Sequence, residues 1–195
     1  GLVMAFQAAV QLRQFGANIF VADLLSLAFT RELGPVFTAV ILAGRSGSAF
    51  AAEIGTMKVN EEVDALQVMG FDIQNFLVLP KVYALAVCGP LLTLFANASG
   101  IVGGIVVGVL GLDLTAVSFI EETYAILTLG DVMGGLAKSL AFSILIALIG
   151  CLRGLQAEKG ADSVGKQTTS AVVSGIFLIV LADAVFTVVF HVFGW

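Results

Sequence analysis

Between Lys81 and Asp113 the chain reads VYALAVCGPLLTLFANASGIVGGIVVGVLGL, without one Asp, Glu, Lys, Arg or His. A helix needs roughly 20 consecutive apolar residues to cross the hydrocarbon core of a bilayer. This stretch is longer than one crossing requires and too short for two with a turn, so it predicts a single membrane helix. Pro90 inside it is tolerable, because neighbouring groups in a membrane bundle re-satisfy the freed backbone.

The pattern recurs outward from this stretch in less pure form. Further spans read over about 32–52, which contains Arg45, about 132–153, with Lys138 near its start, and about 169–193, which contains Asp183. The opening, about 1–15, reads as the second half of another membrane helix, followed by a more polar, turn-like stretch to Asp23 with Gly16 and Asn18. No initiator methionine precedes it, so upstream sequence is expected to be missing; no basic n-region or cleavage site marks a signal peptide. The expected fold is an all-α integral membrane protein of five transmembrane helices (about 1–15, 32–52, 80–110, 132–153 and 169–193), the first truncated, forming one transmembrane domain.

Composition agrees. Of 195 residues, 59% are hydrophobic and 12% charged, where a soluble domain carries about 25% charged residues to wet its surface. The formal net charge of −5 is scattered, which excludes a nucleic-acid footprint, and no basic run suits anionic headgroups. Cys88 and Cys151 lie far apart in apolar stretches and read as buried small hydrophobes, with no disulfide or metal framework.

Orientation follows from Lys and Arg in short loops. The segment from Glu53 to Lys81 holds Lys58 and Lys81, that from Arg153 to Lys166 holds three basic residues, and that from Asp113 to Asp131 holds none. The basic loops are expected on the cytoplasmic side, with Trp195 at the outer interface. Arg31 and Lys138 weaken the rule without reversing it.

Several residues carry possible chemistry. Ala96, Gly100, Gly104 and Gly108 recur every four residues, stacking small side chains on one helix face; packing inside the monomer is the first reading and a dimer seam the sharper one. Gly44, Ser48 and Ala52 form a second such face. Asp183 lies near the middle of the last span, where a lone carboxylate must find a partner. Arg45 is the expected partner, in a structural pair; the alternative is a proton relay, for which His191 near the outer end is the sole histidine. Arg31 and Glu32 are expected to open the second span just before Pro35, in a first turn that accepts an acid and a proline. Their functional reading is a polar rim around an outward-facing cavity. The run Gly160 to Gln167 (GADSVGKQ) nearly matches a phosphate-binding loop, but Gln167 replaces the magnesium-binding hydroxyl residue and an apolar helix precedes it in place of a strand. The chain is thus expected to hold no ATP site, no metal, no cofactor and no catalytic residue of its own.

The stretch Met57 to Asp72, MKVNEEVDALQVMGFD, repeats Val59, Val63, Leu66 and Met69 or Gly70 at helical spacing against Glu61, Glu62 and Asp64. An amphipathic helix over about 54–70 is expected between two spans. Helices that lie on headgroups favour Lys and Arg on the polar face; an acidic one suits a basic groove on a soluble partner.

At RELGPVFTAVILAGRSGSAFAAEIGTMKVNEEVDALQVMG, Arg31 to Gly70, the chain closely resembles the MlaE (YrbE) family of ABC-transporter permeases. The opening GLVMAFQ and the later DSVGKQTTSAVV are similar to that family too, so the resemblance covers nearly the whole chain. It implies a homodimer in the bacterial inner membrane, or in an organelle derived from a Gram-negative bacterium, moving phospholipid and maintaining outer-membrane lipid asymmetry. It implies three partners: a cytoplasmic ABC ATPase that binds the ATP, a STAS-domain protein accompanying that ATPase, and a periplasmic MCE-domain protein. Residue by residue, it implies Gln7, Gln11, Arg31 and Glu32 as cavity-lining or gating groups. It implies a coupling helix whose ATPase contacts are Glu53, Lys58, Glu61, Glu62, Asp64, Leu66 and Met69, with a weaker second contact around Lys166. The rivals are an ion-coupled secondary transporter using Asp183 and a membrane scaffold without transport.

Overall fold

Backbone N–H and C=O groups facing lipid find no water, and helices satisfy them segment by segment. The computed structural model describes residues 1–16, 18–112, 114–158 and 160–193, and among the described residues no strand occurs. Helix α1 spans Leu2–Leu12, α2 Phe20–Val59, α3 Glu62–Val68, α4 Gln74–Gly111, α5 Ala116–Ile126, α6 Leu129–Leu155 and α7 Ala161–Phe193. Helices α2, α4, α6 and α7 are each long and apolar enough to cross a membrane, and α1 is a shorter apolar helix. The protein is therefore an all-α, multi-pass membrane bundle.

The long helices alternate in direction. Lys81 at the start of α4 pairs with Glu53 near the end of α2 at 2.6 Å. A Cβ on Gly154 of α6 would meet Ile54, and one on Gly55 would touch Val164 of α7. Lys58, Lys81, Arg153 and Lys166 thus share one end of the bundle, hereafter the basic end. Two apolar cores hold the layers together. One, around Ala5, Val21, Leu25, Phe29 and Phe119, joins α1, α2 and α5; the other, around Ala39, Leu42, Leu85, Phe142, Ile146 and Ile179, joins α2, α4, α6 and α7.

The structure corrects several expectations. Helix α2 begins at Phe20, twelve residues before the expected start, because the turn closes early at Gly16 in a left-handed conformation (φ 67°). Glu32 and Pro35 therefore lie mid-helix and not in a first turn. Proline lacks an N–H and its ring crowds the preceding turn; the π-helical turn Phe29–Leu33 immediately ahead of it accommodates both effects. A second π-turn, Gln74–Val78, precedes Pro80 in the same way. A third, Ala43–Gly47, has no proline; there the backbone of Gly47 meets α6, and a Cβ on Gly150 would sit 2.7 Å from the Gly47 carbonyl oxygen.

The amphipathic helix expected over about 54–70 is divided. Helix α2 continues to Val59, Glu61 turns left-handed at φ 63°, and only Glu62–Val68 follows as α3. Val63 is buried as its spacing predicts, but Met69 is 64% and Val68 89% exposed, so the apolar stripe does not close over the last turn. The segment between Asp113 and Asp131, read as a loop without basic residues, folds in large part as α5, capped by the Thr115 hydroxyl, which accepts from the Ser118 N–H. Cys151 is buried, but Cys88 is exposed on α4. Asp113, Lys159 and Trp195, with their expected places at loop boundary, basic loop and outer interface, lie outside the described residues.

The small-residue face of α4 packs inside the subunit. A Cβ on Gly100 would meet the Phe29 ring at 2.3 Å, on Gly104 the Leu25 side chain at 1.9 Å, and on Gly108 the Phe119 ring at 2.9 Å. Close helix approach of this kind is what stabilises membrane bundles when water supplies no drive for their association.

Helix α6 opens with a reciprocal cap. The Asp131 N–H donates to the Thr128 hydroxyl at 3.3 Å, and the Thr128 N–H donates to the Asp131 carboxylate at 3.0 Å. Thr128→Ala is expected to cost about 1 kcal/mol, read as a lower unfolding midpoint in detergent; an unchanged midpoint would show the cap to be idle.

Candidate functional site

A lysine with no exposed surface in a membrane bundle must be neutralised within it. Lys138 of α6 is such a residue, at 0% exposure. Its ammonium donates to the Glu32 carboxylate of α2, to Asp183 of α7 at 3.1 Å and to the Thr187 hydroxyl of α7 at 3.4 Å. The Phe190 ring centroid lies 5.7 Å away, within cation–π range. One cation thus ties three membrane helices together, and its three N–H donors all have acceptors.

This arrangement corrects the expected Arg45–Asp183 pair. Through Lys138, Asp183 lies at the level of Glu32 on α2. Arg45 stands about 20 Å further along that helix, at about 1.5 Å per residue, beyond any side chain's reach. Lys138, read in the sequence only as an exception to the loop-charge pattern, is the residue that sequence reasoning missed. The available signal was depth: Lys138 follows Asp131 by about two helical turns, and Asp183 precedes the end of the last span by nearly three, so both sit a few turns in from the same end of the bundle.

Beside this network, Arg31 pairs with Asp131 at 3.5 Å. Both line a cavity of about 340 Å³ with Gly134, Gly135 and Phe190. Gln7 and Gln11 lie elsewhere, on a separate groove of about 650 Å³ between α1 and α2, whose walls include Met4, Phe6, Leu24 and Leu25. The four residues carried over as cavity-lining therefore fall into two places within one subunit. The groove is apolar with two amide groups, and volumes of this size are those of ligand pockets.

At the basic end, Glu53 holds Lys81, whose ammonium also lies 5.1 Å from the Phe50 ring centroid. Lys58 reaches Asp64 of α3 at 3.3 Å, and the Asn60 amide donates to Glu62 at 3.3 Å. Leu66 is half-buried, whereas Glu61, Glu62, Asp64 and Met69 face outward. The run Gly160 to Gln167 enters α7 directly, and Lys166 pairs with Asp162 one turn earlier at 2.8 Å. A regular helix of this kind offers no backbone cradle for a phosphate chain. Among the described residues no cluster of His, Cys, Asp and Glu suits a metal ion.

Known proteins resemble this chain over most of its length. The model of a family described as "Permease MlaE" matches residues 1–189. A probable ABC transporter permease protein of Rickettsia bellii is 40% identical over 190 residues, 97% of this chain and 73% of the relative. A probable ABC transporter permease protein of Synechocystis is 42% identical over 183 residues, 94% of this chain and 70% of the relative. The chloroplastic protein TRIGALACTOSYLDIACYLGLYCEROL 1 of Arabidopsis thaliana is 36% identical over 187 residues, 95% of this chain and 53% of that protein.

Proposed function

The chain belongs to the MlaE family of ABC-transporter permeases, and from that premise we propose that it moves phospholipid or a related lipid, as the non-catalytic membrane subunit of its transporter. Membership implies an ATPase partner. In our reading the permease works as a homodimer in a bacterial inner membrane. It receives energy from that ATPase, accompanied by a STAS-domain protein, exchanges lipid with a periplasmic MCE-domain protein, and so maintains outer-membrane asymmetry. ATP is bound by the partner.

One observation carries this reading: α2 is a single rod joining the two places where such a permease would act. Its basic end runs to Val59, next to the acidic helix α3, and its other half holds Arg31 and Glu32 and forms one wall of the groove with Gln7 and Gln11. A displacement applied at α3 is transmitted along a hydrogen-bonded helix to the ion pairs at Lys138. The groove suits a lipid chemically, with apolar walls for acyl chains and a few polar groups for a head. A relative whose name refers to trigalactosyldiacylglycerol, a glycerolipid, agrees with such a substrate class.

The test is reconstitution of the permease with its ATPase in liposomes, following a labelled phospholipid with and without ATP. ATP-dependent movement is expected, and reversing charge at Glu62 and Asp64 together is expected to cut both ATPase co-purification and lipid movement about tenfold or more, as loss of a charge-complementary contact does. Lipid that does not move under any nucleotide condition would refute the proposal and favour a scaffold.

A further inference from the structure

Arg45 is the sole charged residue of α2 between Glu32 and Glu53. It is exposed, and among the described residues its guanidinium has no hydrogen-bonding or ionic partner. Glu53 lies about 12 Å further along the helix and Glu32 about 20 Å back, at about 1.5 Å per residue; each is already tied, to Lys81 and Lys138. Neither neighbouring carboxylate of α2 is therefore at its level, and arginine cannot shed its charge.

The surroundings are built in an order. Arg45 stands in the π-turn Ala43–Gly47, where Ser48 donates its hydroxyl back to the carbonyls of Gly44 and Arg45 at 2.5 and 3.0 Å. Gly44 beside it is exposed, and a Cβ there would meet nothing within 4 Å. On the same face, one and two turns toward the middle of the bundle, Ile41 is 67% and Phe37 51% exposed. The face thus presents an apolar track in the interior of the span and a forked cation toward the basic end, where a long side chain can extend to the interface. That order matches an amphiphile lying with its tails inward and an anion outward. A guanidinium pairs bidentately with phosphate.

We propose that Arg45, the open backbone at Gly44 and the Phe37–Ile41 track form a binding site for a phospholipid of the leaflet at the basic end, held through its phosphate. The site rests on the chain lying in a bilayer and not on lipid being the transported cargo. Failure of the liposome assay would therefore sink the transport reading and leave this site standing.

The experiment uses the purified full-length permease complex, stripped of lipid in mild detergent and reloaded with phosphatidic acid or with diacylglycerol of the same chains. Retained lipid is counted by native mass spectrometry. Wild type is expected to retain phosphatidic acid over diacylglycerol, and Arg45→Gln to lose that preference about tenfold, as removal of a charge-assisted pair predicts. Gly44→Phe fills the open space without touching the fold and is expected to lower retention of both lipids about threefold. Equal retention of phosphatidic acid by wild type and both variants would overturn the proposal. So would a change of oligomeric state in Arg45→Gln with retention unchanged, which would assign this face to a second copy of the chain.

Discussion

Lys138→Met is expected to lower stability by about 3 kcal/mol, the low end of the cost of breaking a buried ion pair, because Lys138 is fully buried while the Glu32 and Asp183 side chains keep 39% and 26% of their exposure. The methionine fills a similar volume, so the loss is electrostatic. Glu32 and Asp183, both drawn to the same ammonium, would face each other across a low-dielectric gap with no cation between them. Their repulsion would push α2 and α7 apart. The reading is an unfolding midpoint in detergent, and a Lys138→Met protein as stable as wild type would show the cluster to be no more than a surface pair. Neutralising all three groups at once, with Lys138→Met, Glu32→Gln and Asp183→Asn, is expected to recover most of the loss, because the uncompensated charge has gone. Asp183→Asn alone leaves Lys138 paired with Glu32 and is expected to keep lipid transport largely intact. A stable Asp183→Asn protein without transport would instead support ion coupling through that residue.

The same cluster shows what the sequence could and could not convey. Membrane spans are legible because hydrophobicity is a sum over neighbouring residues: the uncharged run after Lys81 predicts α4 without any tertiary information. Pairing is a matter of depth and rotation, which depend on where each helix begins. Placing the start of α2 near residue 32 made Glu32 a terminal residue and left Arg45 as the apparent central cation. Once α2 starts at Phe20, Glu32 is interior and takes Lys138. The early start was hidden by Asp23 and by the polar look of the turn around Gly16. The break at Glu61 carries no glycine or proline, so periodicity ran straight through it and joined the end of α2 to α3. The glycines of α4 were the opposite case. Their four-residue spacing fixed a close-packed face, and only the positions of Phe29, Leu25 and Phe119 decided that the face is filled from within the subunit.

Gly135→Ala is the second change expected to be severe, for a reason independent of charge. A Cβ at Gly135 would lie 2.1 Å from the carbonyl oxygen of Thr30. That atom belongs to the backbone of α2 in its π-turn, so no rotamer change can relieve the contact and α6 must move away. Lys138 sits one helical turn further along α6, so the same displacement stretches its bond to Glu32. The expected cost is about 3 kcal/mol, the upper part of the range for overpacking, together with loss of transport. Two other glycines calibrate the series. Gly104→Ala would meet the end of the Leu25 side chain at 1.9 Å; that side chain can shift, so about 1 kcal/mol is expected. Gly165→Ala meets nothing within 4 Å on a helical backbone and is expected to be neutral or to gain up to about 1 kcal/mol from helix propensity. Unfolding midpoints should therefore fall in the order Gly165→Ala, Gly104→Ala, Gly135→Ala. A Gly135→Ala protein as stable as Gly165→Ala would mean that α6 and α2 are not in backbone contact at Thr30, and the geometry that buries Lys138 would fall with that contact.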